Sequence, residues 1–244
     1  MIAADAPVEV FDEIDSTMLE ARRRAERRAF GPVWIQALQQ SAGRGRRGRA
    51  WVSVPGNLYV TYFAPATRAP TELALIGFAA GLALCDCIDA TLSAPRARLK
   101  WPNDVLIDGA KISGLMLDSG ADAETNWFAL GIGVNLATAP EGLDQKTTSI
   151  AALNAPVALA PFFASLRERL AHWDEALLAQ GFEPLRRAWL ARAHGLGLPI
   201  RVMQGESAID GRFAGLSSRG ELELDTGHDV RLIAAGDVLL PSAT

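Results

Sequence analysis

The stretch over residues 71–92 constrains this chain more than any other. Leu73, Ile76, Ala80, Leu84, Cys87 and Thr91 recur at three- and four-residue steps, the repeat of one helical face. Gly77 and Gly81 leave room for a neighbour to approach. Its longest uncharged part, residues 73–85, is too short to cross a bilayer and stops at Asp86, so it reads as a helix of a folded domain. The chain of 244 residues, 49% hydrophobic and 21% charged, has an ordinary globular balance. One large domain with a small appendage suits that length. Residues 1–10 include Asp5 and Glu9 and have no apolar core of the signal-peptide kind. A cytoplasmic protein with no membrane partner is expected.

Other elements are arranged around that helix. Residues 8–14 read as a strand, and Ser16 and Thr17 open a helix over 18–28, with Thr17 and Glu20 spaced as a capping box. Strands are expected at 33–38, 57–64, 98–101, 105–107, 111–117 and 127–134, the last apolar enough to be central. Asp108-Gly109 marks a hairpin turn. Two helices follow, at 161–179 and 184–193. Beyond Gly195 short strand-like runs alternate with turns at Gly205, Gly211, Gly220 and Gly227, the texture of a small SH3-like barrel. The expected fold is therefore mixed α/β (α+β) over residues 1–193, with a small β domain over 194–244.

Four segments carry chemistry. Gly43-Arg-Gly-Arg-Arg-Gly-Arg49 places four arginines in seven residues, separated by glycines. Such a sequence makes a mobile loop whose guanidinium forks match carboxylates and phosphates. It lacks the lysine and hydroxyl of a Walker loop; a solvated basic loop and an RNA-binding segment are rival readings. In Lys100-Trp-Pro-Asn-Asp104, Pro102 biases Trp101 towards extended backbone. Asn103 and Asp104 offer hard oxygens for Mg²⁺ and phosphates, or simply a turn. Lys111-Ile-Ser-Gly114 sets an amine at a hairpin base, facing either a site or solvent. Gly131-Ile-Gly-Val-Asn135 puts two glycines in an apolar strand, a mark of close backbone approach or a bulge.

Taken in order, DSTMLEA, QQSAGRGRRGR, PGNLY, KWPNDV, KISGLML and GIGVNL resemble the catalytic domain of biotin–protein ligases across nearly the whole chain. The resemblance implies a mixed-sheet catalytic domain of the biotin/lipoate ligase type, with a C-terminal cap that includes Asp237. It implies that biotin is bound by Ser16, Thr17, Gln40, Gly43, Arg44, Gly45, Arg46, Lys111, Gly114 and Gly131. ATP would be met by Arg47, Arg49, Trp51, Asn103, Asp104, Gly133 and Asn135, with Lys111 and Arg46 catalytic. Trp51 would form part of the adenine pocket or pack on the folded loop; an ordinary core tryptophan is the alternative. Mg²⁺ would arrive with ATP, near Asp104, with no structural metal. The glycines would line the pocket where a side chain would meet ligand.

The implied partners are biotin, ATP and a biotin carboxyl carrier protein, with a homodimer allowed. Two positions depart from the family pattern. Met18 stands where an asparagine is frequent and Asp118 where a glutamate is. About fifteen residues precede Ser16, too few for a three-helix DNA reader, and the net charge of −4 also argues against nucleic acid, so no DNA partner is expected. A lipoate or octanoate ligase, or a non-catalytic binder using the arginine loop, are the alternatives. Cys85 and Cys87, two apart, face away from each other on a helix and read as small packing residues. His172, His194 and His228 show no ligand-like spacing.

Overall fold

The computed structural model describes residues 1–121, 124–143 and 145–240. The last four residues of the expected C-terminal domain lie outside them. Seven strands, β1 (Val8–Ile14), β2 (Val33–Gln40), β3 (Leu58–Pro65), β4 (Ala97–Lys100), β5 (Asp104–Ile107), β6 (Ala110–Ala121) and β7 (Asn126–Val134), form one sheet in the order β1-β2-β3-β7-β6-β5-β4. Only β1 and β2 pair in parallel. β7 is central, as its apolar run suggests. Asp108 and Gly109, between β5 and β6, both have positive φ (49° and 78°), the backbone a two-residue type I′ hairpin requires.

Helices cover both faces. α1 (Thr17–Glu26) buries Met18, Ala21 and Ala25 on one side, against Val33, Ile35, Phe63 and Ala129. The expected capping box does not form: the N-cap, Ser16, makes no side-chain cap bond. The Thr17 hydroxyl is drawn into tertiary bonds instead, and Glu20 pairs with Arg23, Arg24 and Arg27.

On the opposite face α2 (Pro70–Leu92) lies beneath α3 (Leu159–Gln180) and α4 (Phe182–Ala191). By length and composition α2 is apolar enough to cross a membrane, since its full 23 residues reach beyond the uncharged run. Here its apolar residues supply the main core instead. A Cβ on Gly81 would meet Leu99 Cδ2 at 2.9 Å, whereas nothing lies within 4 Å of that position at Gly77; only one of the two glycines serves close approach. Cys85 and Cys87 are free and buried, and burial pushes their thiols up to about 12 and about 11. They are packing groups.

The chain then forms β8 (Pro199–Gln204), β9 (Ser207–Leu216), β10 (Leu222–Asp225), β11 (Val230–Ile233) and β12 (Asp237–Leu239), an antiparallel sheet ordered β11-β10-β9-β8-β12. It docks on the first sheet's helices through aromatic side chains. Trp189 sits edge-on to Phe78 (5.7 Å) and Phe213 (6.5 Å), and Trp101 Nε1 donates to the Gly220 carbonyl at 3.1 Å. Gly220 has φ +78°, and a Cβ there would meet the Phe78 ring at 2.6 Å, so both backbone and packing demand glycine. The larger of two hydrophobic clusters runs continuously through both sheets, apart from the smaller one under α1. Truncation of Trp189 to alanine opens a cavity at that junction. The substitution should lower stability by about 3–5 kcal/mol, read as a lower urea midpoint at unchanged m-value.

Candidate functional site

A cavity of about 790 Å³ lies where the start of α1, the arginine loop, the β4–β5 turn and strands β6 and β7 meet the C-terminal sheet. Its polar end is built on a glutamine. The Gln40 Oε1 accepts from the Thr17 backbone N–H (2.8 Å) and hydroxyl (3.2 Å), while its Nε2 donates to Ser53 Oγ at 3.0 Å. Thr61 Oγ1 in turn donates to Thr17 Oγ1 at 2.8 Å. Next to this network the Ser16 hydroxyl is buried and has no protein partner. A buried hydroxyl left unpaired is unfavourable, so Ser16 is ready to bond whatever enters.

Glycines make the floor. Ideal Cβ atoms at Gly114 and Gly133 would fall 2.8 Å from Trp51 Cζ3 and 2.5 Å from Trp51 Cε2, and one at Gly131 would fall 2.7 Å from Met18 Sδ. The groups these glycines admit here are thus Trp51 and Met18, so the indole lies flat on two strands. Trp51 Nε1 is a second buried donor without a partner.

Cations converge above the floor. Lys111 Nζ is 2.6 Å from Asp104 Oδ1 and 5.5 Å from the centre of the Trp51 ring. Arg46 Nη1 donates to Asn103 Oδ1 at 3.1 Å, and Asn103 Nδ2 donates to the Leu115 carbonyl at 2.6 Å. Burial holds the Arg46 guanidinium and the Lys100 amine below their ordinary values. For Arg46, Asp237 opposes the shift and the neighbouring arginines add to it; for Lys100, Asp104 opposes it and Lys111 adds to it. A cluster of partly desolvated cations attracts an anion strongly.

The arginine segment is more organised than its glycines suggest. Trp51 N donates to the Gly43 carbonyl (2.9 Å) and Gly45 N to the Arg49 carbonyl (2.7 Å), closing a small bridge around a turn at Arg46–Gly48. Arg47 and Arg49 reach across to Asp237 of β12, at 3.1 and 3.0 Å.

Of the residues picked from motifs, Ser16, Thr17, Gln40, Arg44, Gly45, Arg46, Arg49, Trp51, Asn103, Asp104, Lys111, Gly114, Gly131, Gly133 and Asn135 all line this cavity. Gly43 and Arg47 do not. Gly43 is needed for chain approach, since a Cβ there would lie 2.4 Å from the Trp51 carbonyl oxygen; Arg47 turns outward to Asp237. Asn135 lines the wall, yet its amide is committed to the Thr148 carbonyl at 3.1 Å. Asp118 does not line the cavity and pairs with Arg22 at 2.7 Å. Lys100, His194 and Asp237 also line the cavity and were not singled out. Lys100 is visible as the first residue of the 100–104 motif, but Asp237 carries no local signal of its contact. Among the described residues no three His, Cys, Asp or Glu side chains cluster to hold a metal.

Residues 12–135 match the model of the Biotin/lipoate A/B protein ligase family. The biotin–[acetyl-CoA-carboxylase] ligase of Paracoccus denitrificans is 37% identical over 232 residues, 92% of this chain and 96% of that one. Its namesake from Mycobacterium tuberculosis is 32% identical over 215 residues, 85% and 78% of the two chains. The fold is similar to that of a mutant biotin protein ligase from Aquifex aeolicus solved in complex with biotin, with a TM-score of 0.83 and 21% identity over 98% of this chain and 100% of the other.

The Trp51–glycine contact can be tested without any ligand. Gly133→Ala should destabilise the fold by about 1–3 kcal/mol through overpacking. In a Trp51→Ala background the same change should be nearly neutral, a non-additivity read from denaturant unfolding of the two single variants and the double. Additive effects would mean that the indole does not rest on Gly133.

Proposed function

The chain belongs to the biotin/lipoate A/B protein ligase family, and we propose that it is a biotin–protein ligase. It activates biotin with ATP to biotinyl-5′-AMP and transfers the biotinyl group to a lysine of a biotin carboxyl carrier domain. The observation that carries this reading is the placement of Lys111. Its ammonium stands beside Asp104 and over Trp51, between a polar pocket with an unpaired hydroxyl and a loop of arginines. Joining a carboxylate to a phosphate needs such a charge, because two anions must be brought together.

Biotin's neutral ureido ring needs both donors and acceptors, and Ser16, Thr17 and Gln40 supply them. The valerate carboxylate points to Lys111. Arg44, Gly45 and Arg46 close over the acid and the adenylate, with Gly43 allowing the loop to turn. Arg49, with Arg47 behind it, meets the polyphosphate; Gly114 and Gly131 border the biotin, and Trp51 with Gly133 and Asn135 forms the wall for adenine and ribose. Met18 lies over Gly131, so the contact that an asparagine would make is left to backbone groups. ATP enters as MgATP. Asn103 and Asp104 would be its oxygen partners on the protein; one carboxylate would suffice for an ion held mainly by phosphates and water.

In the first step a biotin carboxylate oxygen attacks the α-phosphorus. The bond to the bridging oxygen breaks, and pyrophosphate leaves with its electron pair. Lys111 and Arg46 stabilise the charge that builds on the α-phosphate oxygens. In the second step the carrier's neutral lysine amine attacks the acyl carbon of the mixed anhydride, an amide forms, AMP leaves and the amine gives up a proton. Between the steps the anhydride must be kept from water, the task of the arginine loop. Residues 1–193 carry most of this site and the domain over 194–244 closes it from one side through His194, Met203 and the stretch 237–240, in a soluble cytoplasmic enzyme.

Exchange of labelled pyrophosphate into ATP should depend on biotin and not on octanoate or lipoate; exchange supported only by another acid would move the substrate while keeping the fold. Lys111→Ala should lower the exchange rate by about 10²- to 10³-fold, the usual effect of removing one group aimed at transition-state charge. Arg46→Gly should release adenylate into solution. Labelled intermediate retained as in the parent enzyme would contradict that role.

A further inference from the structure

Asp237 is the first residue of β12, where it pairs with Met203 of β8. Its two carboxylate oxygens are divided between two arginines of the loop. Oδ2 accepts from Arg47 Nη1 at 3.1 Å and Oδ1 from Arg49 Nη2 at 3.0 Å, across 190 and 188 residues of sequence. Asp237 also lines the cavity, and its charge bears on Arg46 and Lys100. A single carboxylate of the C-terminal sheet thus faces four cations of the first domain. Among the described residues, the hydrogen bond that otherwise ties these loop guanidiniums to the protein beyond the loop is the one from Arg46 to Asn103. Two oxygens holding two forks restrain the loop in two directions, which one contact does not.

We propose that Asp237 is a positioning residue that latches the arginine loop against the C-terminal sheet, setting how readily the cavity opens. Arg47, Arg49 and Asp237 are each partly exposed, with side-chain accessibilities of 37%, 63% and 29%. Exposed ion pairs are individually weak and are screened by salt, so the latch is reversible. Phosphates compete for the same guanidinium forks, and Arg49, which lines the cavity, is the one a polyphosphate there would draw from Asp237. The consequence for an adenylate rests on the function proposed above; the latch itself does not.

Limited trypsin digestion of the ligand-free full chain tests it, with cleavage after Arg44 and Arg46 followed by mass spectrometry. Asp237→Asn keeps the shape and removes the charge. It should speed cleavage by about 3- to 30-fold, the opening that loss of two exposed ion pairs permits when proteolysis tracks the open population. Asp237→Glu should recover most of the protection. The parent protein in about 1 M salt, where the Debye length is about 3 Å, should approach the Asn variant. Equal cleavage of the parent and Asp237→Asn at low salt would overturn the proposal. So would a further acceleration when Arg47→Gln and Arg49→Gln are added to Asp237→Asn, since the latch would already be open. An unchanged thermal midpoint and unchanged tryptic cuts elsewhere identify a local effect. If the protein adenylates biotin, Asp237→Asn should also release adenylate faster at unchanged KM for biotin. Faster cleavage without any adenylation would support the latch and remove the ligase reading.

Discussion

Burial of α2 is the constraint from which the rest of the structure follows. A helix apolar over most of its circumference cannot lie on a surface, so it needs cover on more than one side. The seven-stranded sheet supplies one side and α3 with α4 another. Around Phe78, where α4 packs Phe182 and Trp189 against it, the Gly220 turn of the second sheet completes the cover. The C-terminal sheet is therefore held by the same core that holds α2. That attachment brings β12 beside the arginine loop, and a packing requirement thus ends in an electrostatic contact at the cavity.

The site sits where the packed sheet has least side-chain volume. Glycines at 114, 131 and 133 strip the faces of β6 and β7, and Trp51 and Met18 fill part of the space. Above them Lys100, Lys111 and Arg46 are partly desolvated, with Asp104 and Asp237 as the nearby counter-charges. Burying cations without full compensation is unfavourable to the folded state, and an anionic ligand relieves it. Rigid strands position Lys111, whereas Arg46 rides on a loop whose ties are a few hydrogen bonds and exposed ion pairs. Ordering the fixed charge and the movable charges separately suits chemistry in which a ligand enters, reacts and is then kept from water.

Much of this was readable in the residues. The helical repeat of α2, the alternating strands, the Asp108-Gly109 hairpin and the central place of β7 all follow from patterns a few residues long. The motif residues converge on one cavity, apart from Gly43 and Arg47. Where local reading failed, a tertiary partner had overridden a local one: Thr17 gave up its expected cap for Gln40 and Thr61, and Gly77 proved to have open space where contact was expected.

The sequence by itself determined which segments are helices and strands and which residue types could handle a carboxylate and phosphates. Periodicity, turn chemistry and charge density act over one or two turns of chain and need no knowledge of the rest. Only the tertiary structure decided that Trp51 lies on Gly114 and Gly133, that Ser16 is left unpaired, and that Asp237 holds two arginines nearly two hundred residues away. An aspartate at the start of a short strand looks the same whether it faces solvent or four cations. What distinguishes the two is where the chain has closed on itself, and that closure is set by the shared core, not by anything near the aspartate.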